Sequence, residues 1–166
     1  MSTQTSNGPA LIFTDGACIG NPGPGGYAAV IQIGDAEQVL VGQEESTTNN
    51  RMKMTAAIMA LSALPAGLGA VVHSDSEYVV KGVTEWLPGW KQRGWRTAAK
   101  KPVLNQDLWE RLEALAAARK VTWTWVRGHA GHELNERVDG LANAEAQKAA
   151  AANGWVPGSR FGFKPL

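Results

Sequence analysis

The segment ALIFTDGACIGNPGPGGYAAV occupies residues 10–30 and determines which kind of sheet this chain can build. ALIFT is a short apolar run that ends at Asp15 and Gly16, and the turn-rich GNPGPGG separates it from a second apolar run, YAAVIQIG. A third run, AEQVLVGQE, follows after Asp35. The pattern predicts three sequential strands, of which the last two form a hairpin.

Helices and strands alternate in the rest of the chain. Thr48 or Asn49 can cap a helix that runs to about Leu64, and Pro65 stops that helix before the strand AVVHS, which ends at Asp75. NQDLWERLEALAAA has helical periodicity, VTWTWV alternates like a fifth strand, and ELNERVDGLANAEAQKAAAA is a final amphipathic helix. We expect an α/β (α+β) fold with a five-stranded mixed sheet and helices packed on it.

Composition limits the possible classes of protein. A chain of 166 residues with 44% hydrophobic content suits one domain, and its net charge of +1 indicates no particular partner. The single Cys18 excludes an intramolecular disulfide framework and a multi-cysteine zinc site, and it favours the reducing cytosol. No stretch approaches the roughly 20 apolar residues of a membrane helix, so we expect no membrane contact.

The ends of the chain differ from its middle. The leader, residues 1–9, is polar, and we expect it to be disordered. We expect the folded domain to span residues 10–150 and to be followed by a C-terminal tail, residues 151–166.

Two aspartates stand where apolar strands end, Asp15 in IFTDG and Asp75 in VHSDS. Taken singly, each is more often a turn residue. If the two strands are neighbours, however, both carboxylates emerge at the carboxyl end of one sheet, where open α/β sheets bind ligands. Carboxylates a few ångströms apart repel each other, and a divalent cation such as Mg²⁺ keeps them ionised. The pair therefore predicts a site for a hard cation.

Three other polar residues carry weaker signals. Asp139 lies in the middle of the last helix, one position off its apolar stripe, and by itself it indicates a solvated flank residue. His129 and His132 in RGHAGHE have no zinc-type partners at fixed spacing, and they can cap, pack or shuttle protons near neutral pH.

Lys53 stands in NNRMKMTAAIMAL, residues 49–61, which otherwise has the pattern of a packed helix. At about 100° per residue, Arg51 lies on one side of that helix and Lys53 on the opposite, inward side. An inward lysine needs anions or a route to solvent. Asp15 and Asp75 are candidate partners.

The segment EWLPGWKQRGWRTAAKKP, residues 85–102, mixes aromatic residues with cations. The residues concerned are Trp86, Trp90, Lys91, Arg93, Trp95, Arg96, Lys100 and Lys101. Because cations contact phosphates and aromatic rings contact sugars or bases, nucleic acid is a natural partner. The alternative is a solvated basic loop whose tryptophans pack on the core.

Six stretches, in order and at matching intervals, resemble bacterial type 1 ribonuclease H: FTDGACIGNPGPGGYAAV, TTNNRM, AAIMAL, SDSEYV, WKQRGWRTAAKKPV and WVRGHAGHELNERVDGLA. The likeness spans residues 10 to about 146. It implies the ribonuclease H-like fold and a monomeric endonuclease that hydrolyses the RNA strand of RNA–DNA hybrids, with two Mg²⁺ or Mn²⁺ ions.

The resemblance also implies residue roles. The metal-binding carboxylates match Asp15, Asp75 and Asp139, and the catalytic histidine matches His129. The contacts to the two strands match Cys18, Gly20, Asn21, Asn49, Asn50 and Glu77, although the family often has an amide at the last of these. Thr48 and Asn105 match a phosphate pocket, and residues 86–101 match a basic protrusion that grips the DNA side of the hybrid.

Lys53 departs from the family, which has a catalytic glutamate directly after NNRM. NNRM and AAIMAL secure the alignment on both sides. Because three negative charges and one positive charge replace four negative ones, we expect weakened ion binding and little or no turnover. Two alternatives stay open: a non-catalytic module that binds hybrids, and a DNA-strand nuclease or integrase on the same fold.

Overall fold

The computed structural model describes residues 8–127, 133–152 and 154. The strands are β1 (Ala10–Cys18), β2 (Gly23–Ile33), β3 (Ala36–Thr47), β4 (Ala70–Ser74) and β5 (Val121–Trp125). The helices are α1 (Asn49–Ser62), α2 (Glu77–Lys81), a π-helical turn (Gly82–Trp86), α3 (Leu87–Gln92), α4 (Gln106–Ala117) and α5 (Glu133–Ala152). In this part of the chain, every helix is too short or too polar to cross a membrane.

The five strands form one mixed sheet in the order β3-β2-β1-β4-β5. The pairs β1–β2 and β2–β3 are antiparallel, whereas β4 pairs in parallel with both β1 and β5. This arrangement confirms the predicted mixed sheet. The predicted leader and tail fall mostly outside the described residues, so the domain boundaries stay predictions.

The core has two layers because side chains alternate between the faces of β1. Ile12 packs with α1 residues such as Ile58 in the larger cluster. Phe13, the next residue, points to the other face and packs with Val138 and Ala142 of α5. The sheet is therefore covered by α1 on one face and by α5 on the other.

Strand β1 is longer than predicted. The sequence pattern ends it at Asp15 and Gly16, but the strand continues to Cys18, and Asp15 pairs with Ala28 of β2. The tight turn moves to residues 19–22, where Gly20 has a φ of 89° that glycine tolerates. Pairing with β2 therefore outweighs the local turn preference of the Asp-Gly dipeptide.

The segment between β4 and β5 is anchored by aromatic rings. Trp109 of α4 is fully buried, and its ring lies 5.2 Å from that of Tyr78 and 5.3 Å from that of Trp90. Trp90 and Trp95 are half-buried against the main core, whereas Trp86 is exposed. The tryptophans thus tie the basic segment to the core, as the alternative interpretation of that segment expects.

We predict that Gly82→Ala lowers the free energy of unfolding by about 1–3 kcal/mol, because the added Cβ collides with the Trp109 indole. Gly140→Ala is the matched control, since a Cβ at Gly140 meets nothing within 4 Å. In helix α5 that change should be neutral or stabilising by up to about 1 kcal/mol. Urea denaturation measures both, and equal effects of the two substitutions would contradict the prediction.

Candidate active site

Parallel pairing of β1 with β4 brings two carboxylates together. Thr14 pairs with Ser74, so the next residues along the chain lie side by side, Asp15 within β1 and Asp75 directly after the end of β4. Asp15 is buried, with 4% of its surface exposed, and its Oδ1 accepts a 2.8 Å hydrogen bond from the N–H of Gly16. The Asp75 side chain is 25% exposed. Asp15 and Asp75, which the sequence predicts to bind a metal ion together, are therefore neighbours.

Helix α1 delivers Lys53 to the same place. The helix begins after Thr48, whose hydroxyl accepts a 3.1 Å hydrogen bond from the N–H of Arg51, as expected of an N-cap. Gly16 allows α1 to lie directly on β1, because a Cβ there would collide with the backbone of Met52 and Lys53. The first turns of the helix are thus held against the strand that carries Asp15.

The Lys53 ammonium lies between the two aspartates. Its Nζ donates a 2.9 Å hydrogen bond to Asp75 Oδ1 and lies 3.4 Å from Asp15 Oδ1. Only 22% of the side chain is exposed. The predictions that Lys53 points inward and that it pairs with these two aspartates agree with this geometry.

Burial and charge shift the pKa values of this cluster. Burial raises the pKa of Asp15 to about 7, the Lys53 charge opposes this shift, and the charges of Asp75 and Asp139 add to it. Burial also acts to lower the pKa of Lys53, but the two adjacent carboxylates outweigh burial and the net shift is upward. Lys53 is therefore an ammonium at neutral pH.

Asp139 completes a polar cleft of about 490 Å³. It lies on α5, and its Oδ1 accepts a 3.2 Å hydrogen bond from Nδ2 of Asn143, one turn further along. Asp139 thus lines the same cleft as Asp15 and Asp75, whereas the sequence pattern by itself indicated a solvated flank residue. Sequence reasoning missed Asn143, although its spacing of four residues from Asp139 places both on one helix face.

Several residues that are predicted to contact the strands of the nucleic acid lie around this cleft. Its lining includes Cys18, Asn49, Asn50 and Glu77. Asn21 lies next to it, and its Oδ1 accepts a 3.0 Å hydrogen bond from the N–H of Asn49. Gly20 stands in the β1–β2 turn and is not among the lining residues.

Arg51, which sequence reasoning did not single out, links the two predicted phosphate-pocket residues. Its N–H bonds the Thr48 hydroxyl, and its Nη1 donates a 3.2 Å hydrogen bond to Oδ1 of Asn105. A 2.7 Å salt bridge to Asp107 holds the guanidinium. The capping pattern places the Arg51 amide, whereas its contact with α4 depends on tertiary packing.

The cations of the basic segment have different surroundings. Lys91 forms a 2.6 Å salt bridge with Glu113. The Arg93 Nε donates to the carbonyl of Arg96, and the Arg96 Nη1 donates to the carbonyl of Lys100. Within the described residues, the Lys100 and Lys101 ammonium groups are exposed and form no ion pair. His129 and His132 lie outside the described residues.

Comparison with known proteins places this architecture. A family model described as RNase H matches residues 7–147. The chain belongs to the RNase H family. It is 63% identical over 136 residues to ribonuclease H of Halorhodospira halophila, an alignment that covers 82% of this chain and 91% of that protein. Ribonuclease HI of Caulobacter vibrioides is 55% identical over 138 residues, with coverage of 83% and 93%.

Two solved structures of RNase H proteins are also similar. LC9-RNase H1, described as a type 1 RNase H with the type 2 active-site motif, superposes with a TM-score of 0.76 at 31% identity, covering 86% of this chain and 74% of that chain. LC11-RNase H1, solved in complex with an RNA/DNA hybrid, has a TM-score of 0.64 at 25% identity, with coverage of 84% and 98%. The family and the fold implied by the sequence resemblance are thus confirmed.

The residues present do not fit the two divalent ions that the RNase H resemblance implies. Among the described residues, no three His, Cys, Asp or Glu side chains are grouped closely enough to hold a metal ion. The Lys53 ammonium lies within 3.4 Å of both strand carboxylates, where it repels another cation. This RNase H-family cleft therefore contains its own positive charge.

We predict that Asp15 makes the fold less stable as the pH rises from about 4 to about 7. The folded state keeps the Asp15 proton up to a pKa of about 7, whereas an unfolded aspartate loses it near its usual pKa of 3.8. Because the folded state binds more protons across this window, stability falls by at most about 1.4 kcal/mol per pH unit. In urea denaturation, the stability of Asp15→Asn should fall less, or rise more, between about pH 4 and about pH 7 than that of the original chain.

Asp107→Asn is the control for that experiment. The hydrogen bond and charge of Arg51 lower the pKa of Asp107, so this residue is ionised in both states above about pH 5. Its substitution should lower stability but leave the slope between about pH 5 and about pH 7 unchanged. An unchanged slope in Asp15→Asn would show that burial does not raise the Asp15 pKa.

Proposed function

We propose that this chain binds RNA–DNA hybrids in the polar cleft and along the basic segment, and that Lys53 impairs the hydrolysis of the RNA strand. Membership of the RNase H family supports the substrate and the reaction class. The position of the Lys53 Nζ, 2.9 Å from Asp75 and 3.4 Å from Asp15, carries the proposed impairment. The proposal also includes a monomer in the cytosol.

The cleft supports recognition of a hybrid through its hydrogen-bonding groups. Asn49 and Asn50 offer amide donors and acceptors at the start of α1, and Glu77 offers an acceptor at the start of α2. A ribose 2′-hydroxyl both donates and accepts hydrogen bonds, so groups of this kind distinguish RNA from DNA. We assign the RNA strand to this cleft, together with Cys18, Gly20 and Asn21 at its rim.

The basic segment supports a second contact on the same surface. Tyr78 lines the carboxylate cleft and also an apolar pocket that includes Trp90 and Lys101. One side chain thus connects the cleft to the cationic segment. We assign the phosphates of the DNA strand to this segment, because exposed ammonium groups that bind phosphates displace the counterions condensed on the nucleic acid. Thr48 and Asn105, which Arg51 links, are the proposed phosphate pocket.

Electrostatics explains why Lys53 should impair turnover. When every side chain is ionised, Asp15, Asp75 and Asp139 with a glutamate would carry four negative charges, whereas with Lys53 the site carries three negative charges and one positive charge. Two unit charges about 4 Å apart interact by about 4 kcal/mol at an effective dielectric constant of about 20. Since about 1.4 kcal/mol changes an affinity tenfold, even a third of that energy weakens cation binding by about tenfold.

We predict that Lys53→Glu gains cleavage of a labelled RNA–DNA hybrid in Mg²⁺ or Mn²⁺, by at least about 100-fold over the original chain. The substitution removes the ammonium and supplies a fourth carboxylate beside Asp15 and Asp75. Lys53→Gln is the control, because it removes the charge without supplying a ligand and should stay slow. Equal rates for the original chain and Lys53→Glu would overturn the proposed impairment.

The same assay separates the alternatives. If Lys53→Glu stays inert while hybrid binding persists, the chain is a non-catalytic module whose site has lost more than one residue. Cleavage of plain double-stranded DNA in preference to the hybrid would support a DNA-strand nuclease instead.

We predict that replacing both Lys100 and Lys101 with alanine weakens hybrid binding. The slope of the logarithm of affinity against the logarithm of salt concentration should become smaller in magnitude by about 2. Both ammonium groups are exposed, and the described residues contain no ion-pair partner for either. Lys91→Ala is the control and should have a smaller effect, because Glu113 holds that ammonium at 2.6 Å. Fluorescence anisotropy over a salt series measures both, and an equal loss in Lys91→Ala would contradict the assignment.

A further inference from the structure

We infer that the Lys53 ammonium is a built-in counter-ion of the carboxylate cleft, so that this chain folds and binds RNA–DNA hybrids without a divalent metal ion. The part about hybrids rests on the proposed function, whereas the part about folding does not. Lys53 thus supplies a positive charge to the cleft, in addition to impairing turnover.

The need for a counter-ion follows from the acidic lining of the cleft. Among the described lining residues, Asp15, Asp75, Glu77 and Asp139 are acidic, and Lys53 is the only basic one. Asp15 is 4% exposed, so water screens its charge poorly. When they are ionised and no cation is near, these carboxylates repel one another and also repel the phosphates of an approaching nucleic acid.

Packing holds the Lys53 side chain beside these carboxylates. Its neighbours Met52 and Met54 are buried, with 2% and 0% of their surfaces exposed, so the α1 backbone cannot turn the lysine outward without exposing them. Contact between the helix and Gly16 of β1 fixes the same turn. The packing of α1 therefore holds the ammonium in the cleft, whatever ions the solution contains.

A resident cation differs from a bound ion in its dependence on conditions. A divalent ion stabilises the folded state only as far as its free concentration exceeds its dissociation constant. The Lys53 charge is covalently attached, so chelation cannot remove it. It also leaves the cleft less negative, which weakens the attraction for an added Mg²⁺ ion.

Thermal unfolding without nucleic acid tests the folding part. The original chain should unfold at the same temperature in EDTA and in Mg²⁺ at matched ionic strength, within about 1 °C. Lys53→Gln and Lys53→Glu should unfold at a lower temperature in EDTA, and Mg²⁺ should raise their midpoints by at least about 3 °C. Lys53→Arg retains a cation and should behave like the original chain.

Lys91→Gln is the matched control, because it removes an ammonium from an exposed ion pair with Glu113, outside the cleft lining. Its response to Mg²⁺ should equal that of the original chain. A Mg²⁺-dependent rise of the original chain as large as that of Lys53→Gln would overturn the inference. So would midpoints of Lys53→Gln that do not respond to Mg²⁺.

Hybrid binding tests the second part. Fluorescence anisotropy with a labelled RNA–DNA hybrid should give the original chain the same affinity in EDTA and in Mg²⁺ within about twofold, whereas Lys53→Gln in EDTA should bind about tenfold more weakly. A Mg²⁺ requirement for binding by the original chain would overturn this part. If the original chain binds no hybrid under either condition, the proposed function and this part both fail, while the unfolding data still decide the folding part.

Discussion

The parallel pairing of β1 with β4 is the constraint on which the site depends. It places Asp15 and Asp75 side by side although they are 60 positions apart in the chain. Helix α1, which connects β3 to β4, must then cross the sheet, and its first turns lie against β1 at Gly16. The same crossover that permits the parallel pair therefore brings position 53 to the carboxylates.

A helix position this close to two carboxylates has a strong effect on their chemistry. Because the α1 backbone is held by the Thr48 cap and by buried methionines, its side chain at position 53 reaches Asp15 and Asp75. Lys53 forms an ion pair there and leaves the RNase H fold intact. The fold accommodates a lysine at this position, since the surrounding acids supply the anions a partly buried ammonium needs.

The basic segment, to which we assign the DNA strand, is built separately from the carboxylate cleft. Ring contacts of Trp109 with Tyr78 and Trp90 attach the basic segment to the core. The cations of the segment are not part of that core. Tyr78 belongs to both regions, because it contacts Trp109 and lines the cleft. In the proposed function, the contacts of the basic segment with the DNA strand therefore do not involve position 53, whereas the contacts with the RNA strand share the cleft with Lys53.

Apolar periodicity in the sequence was enough to predict five strands, the helices around them and the inward direction of Lys53, because these features follow from alternation and helical spacing over short ranges. Local preference failed at Asp15, where pairing with β2 extends the strand to Cys18. Asp139 by itself indicated a solvated residue, and the links from Arg51 to Asn105 and Asp107 left no local signal. These features required the tertiary structure, because each depends on groups far apart in the chain that only the packed sheet and helices bring within a few ångströms of one another.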